Sequence, residues 1–183
     1  MKYTVLLFLI TITLSCNNSK QSVVVGQKLY FDLEKYITND IAFNQKHNIK
    51  ENKKIEINGK LDEQINANVD WQKEMSLIEE CDINKANWIG KYLIDSIWKA
   101  DSILLSIQYI AKDTKIPVKK LTVFYDAVAN PEKIIIQKKI KSILFDTEQQ
   151  IEYVPTKSFS INAQQKAFFM NDFNSKVSVN FIQ

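Results

Sequence analysis

Residues 103–125 read ILLSIQYIAKDTKIPVKKLTVFY, and this stretch decides the fold. Ile103, Leu105, Ile107 and Tyr109 alternate with other residues, and Leu121, Val123 and Tyr125 do the same after a break at 113–117. A period of two sends one set of side chains to one face of an extended strand. Two strands facing a core are therefore expected, joined by a turn that contains Pro117.

The alternation continues toward the C-terminus. Ile134 and Ile136, Ile143 and Phe145, Ile151 and Tyr153, and finally Val177, Val179 and Phe181 repeat it, with a turn at 127–131. Further strands are expected at 158–162 and 165–170, with a last turn at 171–175. Leu104, Ile110, Phe124 and Ile135 place apolar groups at the intervening positions too. A sheet covered on both faces needs such residues, and so does one curved round a ligand. The plainest reading puts them beneath helices or loops.

Toward the N-terminus the period lengthens. Leu29, Leu33, Tyr36, Ile37 and Ile41 share one side of a helix expected within 27–46, while Glu34, Lys35, Asn39 and Asp40 fall mostly elsewhere. The polar run 45–54 ends it. Asn58-Gly59 between short alternating runs is a hairpin signal, because both residues tolerate positive φ. Asp70 is placed to cap a second helix carrying Trp71, Met75, Ile78 and Cys81 on one side, followed by a turn or short helix at 84–90. Helices early and strands late predict an α+β fold. Its N-terminal amphipathic helices and β-hairpin would pack on a C-terminal antiparallel β-meander, as a single domain over 27–183.

The first residues carry an address. Lys2 precedes the apolar run 5–14 (VLLFLITITL), and Ser15 is a small residue directly before Cys16. A run of this length cannot span a bilayer, which needs about twenty apolar residues. A cleaved signal peptide over 1–15 is expected. Thr13-Leu14-Ser15-Cys16 resembles a bacterial lipoprotein signal with its leucine one place late, similar to signals of Bacteroidota. That resemblance implies acylation of Cys16 by palmitate-type chains, more than one of which suffices for stable anchoring. Residues 16–26 then form a lipidated tether. Asn17 and Asn18 replace the acidic residues that surface-export signals favour, which implies an outer-membrane anchor facing the periplasm. Ordinary cleavage after Ser15, without a lipid, is the competing reading. The mature region also resembles a group of small Bacteroidota lipoproteins. The likeness lies in Tyr30-Phe31-Asp32-Leu33, in 71–96 with Asp82-Ile83-Asn84-Lys85, and in Tyr153, Phe159-Ser160-Ile161 and Gln165. It implies location and architecture, with no activity or cofactor attached.

Composition narrows the function classes. All 24 basic residues are lysines, so the bidentate recognition of phosphate that suits arginine is absent. With export expected and a net charge of only +3, nucleic acid is not an expected partner. Lipidation of Cys16 leaves Cys81 unpaired, as a buried thiol, a reactive group or an intermolecular partner.

Catalytic chemistry has little to draw on. His47 is the only histidine, no Gly-x-Ser-x-Gly elbow occurs, and three glycines cannot build a phosphate-cradling loop. Adjacent Glu79, Glu80, Cys81 and Asp82 diverge around a helix, and zinc sites need paired Cys or His at short spacing. The series Asp62, Glu63, Asn66, Asn68, Asp70 lacks the glycine and terminal glutamate of a calcium loop. No catalytic, cofactor-binding or metal residue is assigned, and enzymatic activity is not expected. Trp88, Trp98 and Tyr92 are candidate ligand-contact aromatics, whereas Trp71 reads as core. Ser96 and Ser102 sit in Asp-Ser-Ile triplets similar to the O-glycosylation acceptors of the Bacteroidota periplasm.

The expected function is a membrane-anchored, non-enzymatic binding or assembly domain whose partner is an envelope protein, polymer or lipid. A hydrophobic-ligand carrier with a curved sheet is the alternative, and a hydrolase using paired carboxylates is the third reading.

Overall fold

The computed structural model describes residues 28–99, 103–167 and 171–183. The expected signal 1–15, Cys16, the tether up to 26 and Ser102 lie outside the described residues. Among the described residues, two helices and nine strands follow in the order α1 (Leu33–Lys46), β1 (Lys50–Ile57), β2 (Lys60–Asn66), α2 (Trp71–Glu79), β3 (Tyr92–Lys99), β4 (Ile103–Ala111), β5 (Val118–Tyr125), β6 (Pro131–Lys141), β7 (Phe145–Val154), β8 (Ser158–Ala167) and β9 (Phe173–Ile182). A single 3-10 turn, Ala86–Trp88, precedes β3.

All nine strands join one antiparallel sheet in the order β2-β1-β9-β8-β7-β6-β5-β4-β3. This corrects the α+β expectation. The molecule is mainly β, and its helices are short, 14 and 9 residues. The N-terminal hairpin does not pack on the meander; it is hydrogen-bonded into it, because β1 pairs along its whole length with β9. Lys50–Ile57 reads as polar in sequence, yet its backbone donors and acceptors need partners as much as any other strand's. The last strand supplies them from the far end of the chain. Strand β8 runs unbroken to Ala167 where two short strands were expected, and residues 168–170 of the second lie outside the described residues. Strand β9 begins at Phe173, within the expected turn 171–175, and β3 was not expected as a strand.

Local chemistry sets the boundaries. Asp32 accepts from Lys35 N (3.1 Å) and starts α1 at Leu33, later than 27, and Asp70 accepts from Lys73 N to start α2. Asn58 (φ 48°) and Gly59 (φ +83°) both occupy the left-handed region, the turn geometry that matches strand twist in a two-residue hairpin. Asn58 also bonds β9 through Asn174, donating its N–H to the Asn174 carbonyl and accepting from Asn174 N at its side-chain oxygen.

The helices cover the centre of one face of the sheet. Two rows of side chains cross that face in register: Leu121, Ile136, Ile151 and Ile161, and beside them Val123, Ile134, Tyr153, Phe159 and Val179. Leu33, Ile37 and Ile41 of α1 and Trp71, Met75 and Ile78 of α2 bury themselves in the same core. Trp71 donates from Nε1 to Ile49 O (3.3 Å) and meets Phe181 edge-on, 4.6 Å between ring centroids. Truncating one such aliphatic side chain to alanine costs about 2–5 kcal/mol. The other face is polar across its middle, where Lys120, Gln137, Gln150, Asn162 and Lys176 stand in one row.

Antiparallel register also fixes the two ends. The turns at 58–59, 112–117 and 142–144 share one end with the start of β3. Helix α1 runs away from that end. Tyr30, just before it, packs edge-on against Tyr92 there, whereas Asp40 reaches Thr156 in the turn between β7 and β8 at the other end.

Candidate functional site

Strand β3 is the edge of the sheet, and its residues 93–99 are all exposed. Leu93 and Ile97 (56% and 45% exposed) point to the face away from the helices, and Ile94 and Trp98 (56% each) to the helical face, beyond the helices' reach. A free edge with apolar groups on both faces is the arrangement folded proteins normally avoid, by placing charges or proline there. Strand β2, at the opposite edge, carries Lys60, Asp62 and Glu63, with Glu63 holding Lys54 at 3.2 Å, and its two exposed apolar side chains, Leu61 (65%) and Ile65 (66%), lie four residues apart on one face. In β3 the charges are Asp95 and Lys99. Trp98 donates from Nε1 to Ser96 Oγ (2.8 Å), which fixes the exposed indole against the strand.

The three candidate aromatics do not form one platform. Tyr92 begins β3 but is 3% exposed, and its hydroxyl donates to Val118 O (2.9 Å). Burial pushes its ionisation far above the ordinary tyrosine range. Six residues of extended strand, about 20 Å at ~3.3 Å per residue, separate it from Trp98. Trp88 sits half-buried in the 3-10 turn with the Lys85 ammonium 4.5 Å over its ring. Of the three, Trp98 is the ring open to a partner. Ser96 lies on the exposed edge with its oxygen engaged by that indole.

Cys81, His47 and the Asp32–Glu34–Asp82 group are engaged in packing and hydrogen bonds. Cys81 is fully buried, its thiol donates to Leu77 O (3.2 Å), and burial raises its pKa. The His47 ring stacks on Phe43, and its Nδ1 lies 2.8 Å from Phe43 O, so that nitrogen carries the proton. Among the described residues, Asp32, Glu34 and Asp82 bring carboxylate oxygens within 4.8 Å of one another. Each is occupied: Asp32 caps α1, Glu34 accepts from Lys28 Nζ, and Asp82 accepts from Glu34 N and Asn84 N. Asn84 in turn accepts from Tyr30 N and donates to Phe31 O, so the cluster ties the segment after α2 to the start of α1.

Sequence reasoning missed several buried polar groups, among them Glu51, which accepts from Asn66 Nδ2 (2.6 Å), and a constellation around Asp40. Asp40 of α1 accepts from the Tyr153 hydroxyl and from Thr156 N (2.8 Å). Thr156 has φ 59°, a strained value for a β-branched residue, so the carboxylate pins a turn that its own backbone disfavours. Burial, then the Asp40 charge, raises the Tyr153 pKa.

Leu33, Ile37, Trp71, Met75 and Ile78 of the helices and Leu121, Ile134, Ile136 and Ile151 of the sheet are buried together between the two layers. The surface depressions are lined mainly by charged and amide residues: one of about 460 Å³ on the outer face is lined by residues such as Gln137, Lys139, Glu148 and Gln164. Among the described residues no helix is long and apolar enough to cross a membrane.

No family model, curated protein or solved structure matches this chain.

Proposed function

We propose that this protein is a lipid-anchored lipoprotein of the cell envelope, of the Bacteroidota type, whose domain binds an extended segment of another polypeptide along β3. Acylated Cys16 holds it to the outer membrane facing the periplasm. The domain acts by docking and performs no catalysis. One observation carries the binding reading: an edge strand that has no partner on its outer side among the described residues and exposes Leu93, Ile94, Ile97 and Trp98 on both faces. An added strand would satisfy the free backbone groups of β3, and its side chains would cover those four, the mode by which sheet edges capture peptides.

A second reading takes the partner to be another copy of the chain. In an antiparallel β3–β3 pair centred on Ile97, Asp95 of each copy faces Lys99 of the other and Ser96 faces Trp98. Opposite charges directly across a ladder are favourable.

Two experiments test the proposal. Mass spectrometry of the mature N-terminus is expected to find acyl chains on Cys16, and an unmodified cysteine overturns the anchor. Crosslinking capture from intact cells is expected to yield an adduct that Ile97→Lys abolishes and Leu61→Lys, on the other edge, leaves unchanged. An adduct of the chain's own mass selects the second reading. Equal capture by both variants contradicts docking on β3.

A further inference from the structure

The turn between β6 and β7 presents the most exposed large apolar residue among the described residues. Ile143 is 92% exposed and Leu144 61% exposed at its tip. This is an ordered projection rather than a loose loop. Ser142 Oγ accepts from Leu144 N (3.2 Å) and Phe145 N (3.0 Å), and Ser142 N donates to Phe145 O (2.9 Å). The two side chains are thus held outward in advance of any contact.

Lysines surround this tip. Lys115, Lys119, Lys139 and Lys141 line one depression beneath it together with Ile140, because Lys139 N donates to Pro117 O and draws the loop after β4 alongside the end of β6. Lys119 donates to Thr114 O and Ile116 O (2.5 Å each), and burial lowers its pKa, opposed by Asp113 and reinforced by Lys139 and Lys141. Three acidic groups share the area: Glu148 pairs with Lys139, Asp146 faces Lys141 across the ladder, and Asp113 lies near Lys119. The balance is cationic. Two exposed aliphatic side chains within a ring of excess lysine match a bilayer surface that is apolar below and anionic at its headgroups.

Position supports the same partner. The described chain begins at Lys28, just before Tyr30, and Tyr30 packs on Tyr92 at the end of the sheet that also carries the 142–144 turn. A tether attached at residue 28 and the apolar tip therefore leave the domain from one end.

We propose that the β6–β7 tip docks on an anionic lipid bilayer, with Ile143 and Leu144 entering the interface and Lys115, Lys139 and Lys141 meeting headgroup phosphates. A domain held by a lipid and a tip at one end stands with its other end and much of β3 turned away from the membrane.

The test uses the processed chain from residue 16 with Cys16→Ser, so that no acyl chain contributes. Co-sedimentation is run with vesicles of phosphatidylglycerol mixed into phosphatidylcholine, and with phosphatidylcholine alone. Binding is expected on the anionic vesicles, weakened by salt and reduced about fivefold by Lys141→Gln. The double substitution Ile143→Ser, Leu144→Ser is expected to abolish it with an unchanged circular dichroism spectrum, while Ile97→Lys leaves it intact. Failure to sediment, equal binding to neutral vesicles, or full binding by the double variant overturns the proposal. Loss of binding in Ile97→Lys alone would assign the contact to β3.

Discussion

Asp40 shows how a single residue escapes a sequence reading. It stands beside Ile41 on α1 and reads as part of a solvated stripe, yet it is buried and bonded to Tyr153 and Thr156, more than a hundred positions away. No local pattern announces a partner at that distance. Removing a buried acceptor leaves its donors unsatisfied, so Asp40→Ala is expected to lower the unfolding free energy in urea by about 2–4 kcal/mol. Tyr153→Phe, which keeps the ring, is expected to cost about 1–2 kcal/mol. A loss below about 0.5 kcal/mol for Asp40→Ala would show that the contact does not pin the turn. Thr156→Asn, a residue that accepts positive φ, is expected to raise stability by about 0.5–1 kcal/mol. Cys81 was more legible: its place at the end of an amphipathic helix suggested a small buried hydrophobe, and its thiol is enclosed.

At the scale of elements, what was legible had a local cause. The Asn58-Gly59 turn, the Asp70 cap and the alternation of β4 through β7 all rest on neighbours in sequence, and each lies where its signal pointed except Ile143, which was expected in a strand with Phe145 and stands in the turn between β6 and β7. Gly59→Ala is expected to cost about 1–2 kcal/mol from its φ alone, since a Cβ there meets nothing within 4 Å. The pairing of β1 with β9 had no such signal, because register between distant strands is set by the whole sheet. Strand β3 was missed because Leu93 and Ile94 are adjacent and break strict alternation, although Tyr92, Ile94, Ile97 and Trp98 are good strand formers. An edge that offers apolar groups to both sides has no single buried face to alternate against. For the same reason Ile97→Lys is expected to change stability by less than about 1 kcal/mol while removing the docking surface.

The whole molecule is one sheet with two unlike edges, and its core chemistry fixes how it responds to pH. Burial raises the pKa of Tyr153, Tyr92 and Tyr109, and pushes Tyr125 up to about 12. A group raised in the folded state contributes stability that is complete below its unfolded value and is lost as pH climbs toward the folded one. Stability is therefore expected to hold up to about pH 10 and to fall above it, with each fully buried tyrosine contributing up to about 1.4 kcal/mol per pH unit. Denaturant titrations across pH 8–12 on the protein and on Tyr153→Phe check this, and a shallower alkaline loss in the variant is the expected sign. The asymmetry of the edges bears on function, and site-specific photo-crosslinking in intact cells reads it most directly. A photoreactive residue is placed at Ile97 on β3 and, separately, at Leu61 on β2. A defined adduct from Ile97 and none from Leu61 is the expected result. Adducts from Leu61 alone, or from neither position, would contradict binding through β3.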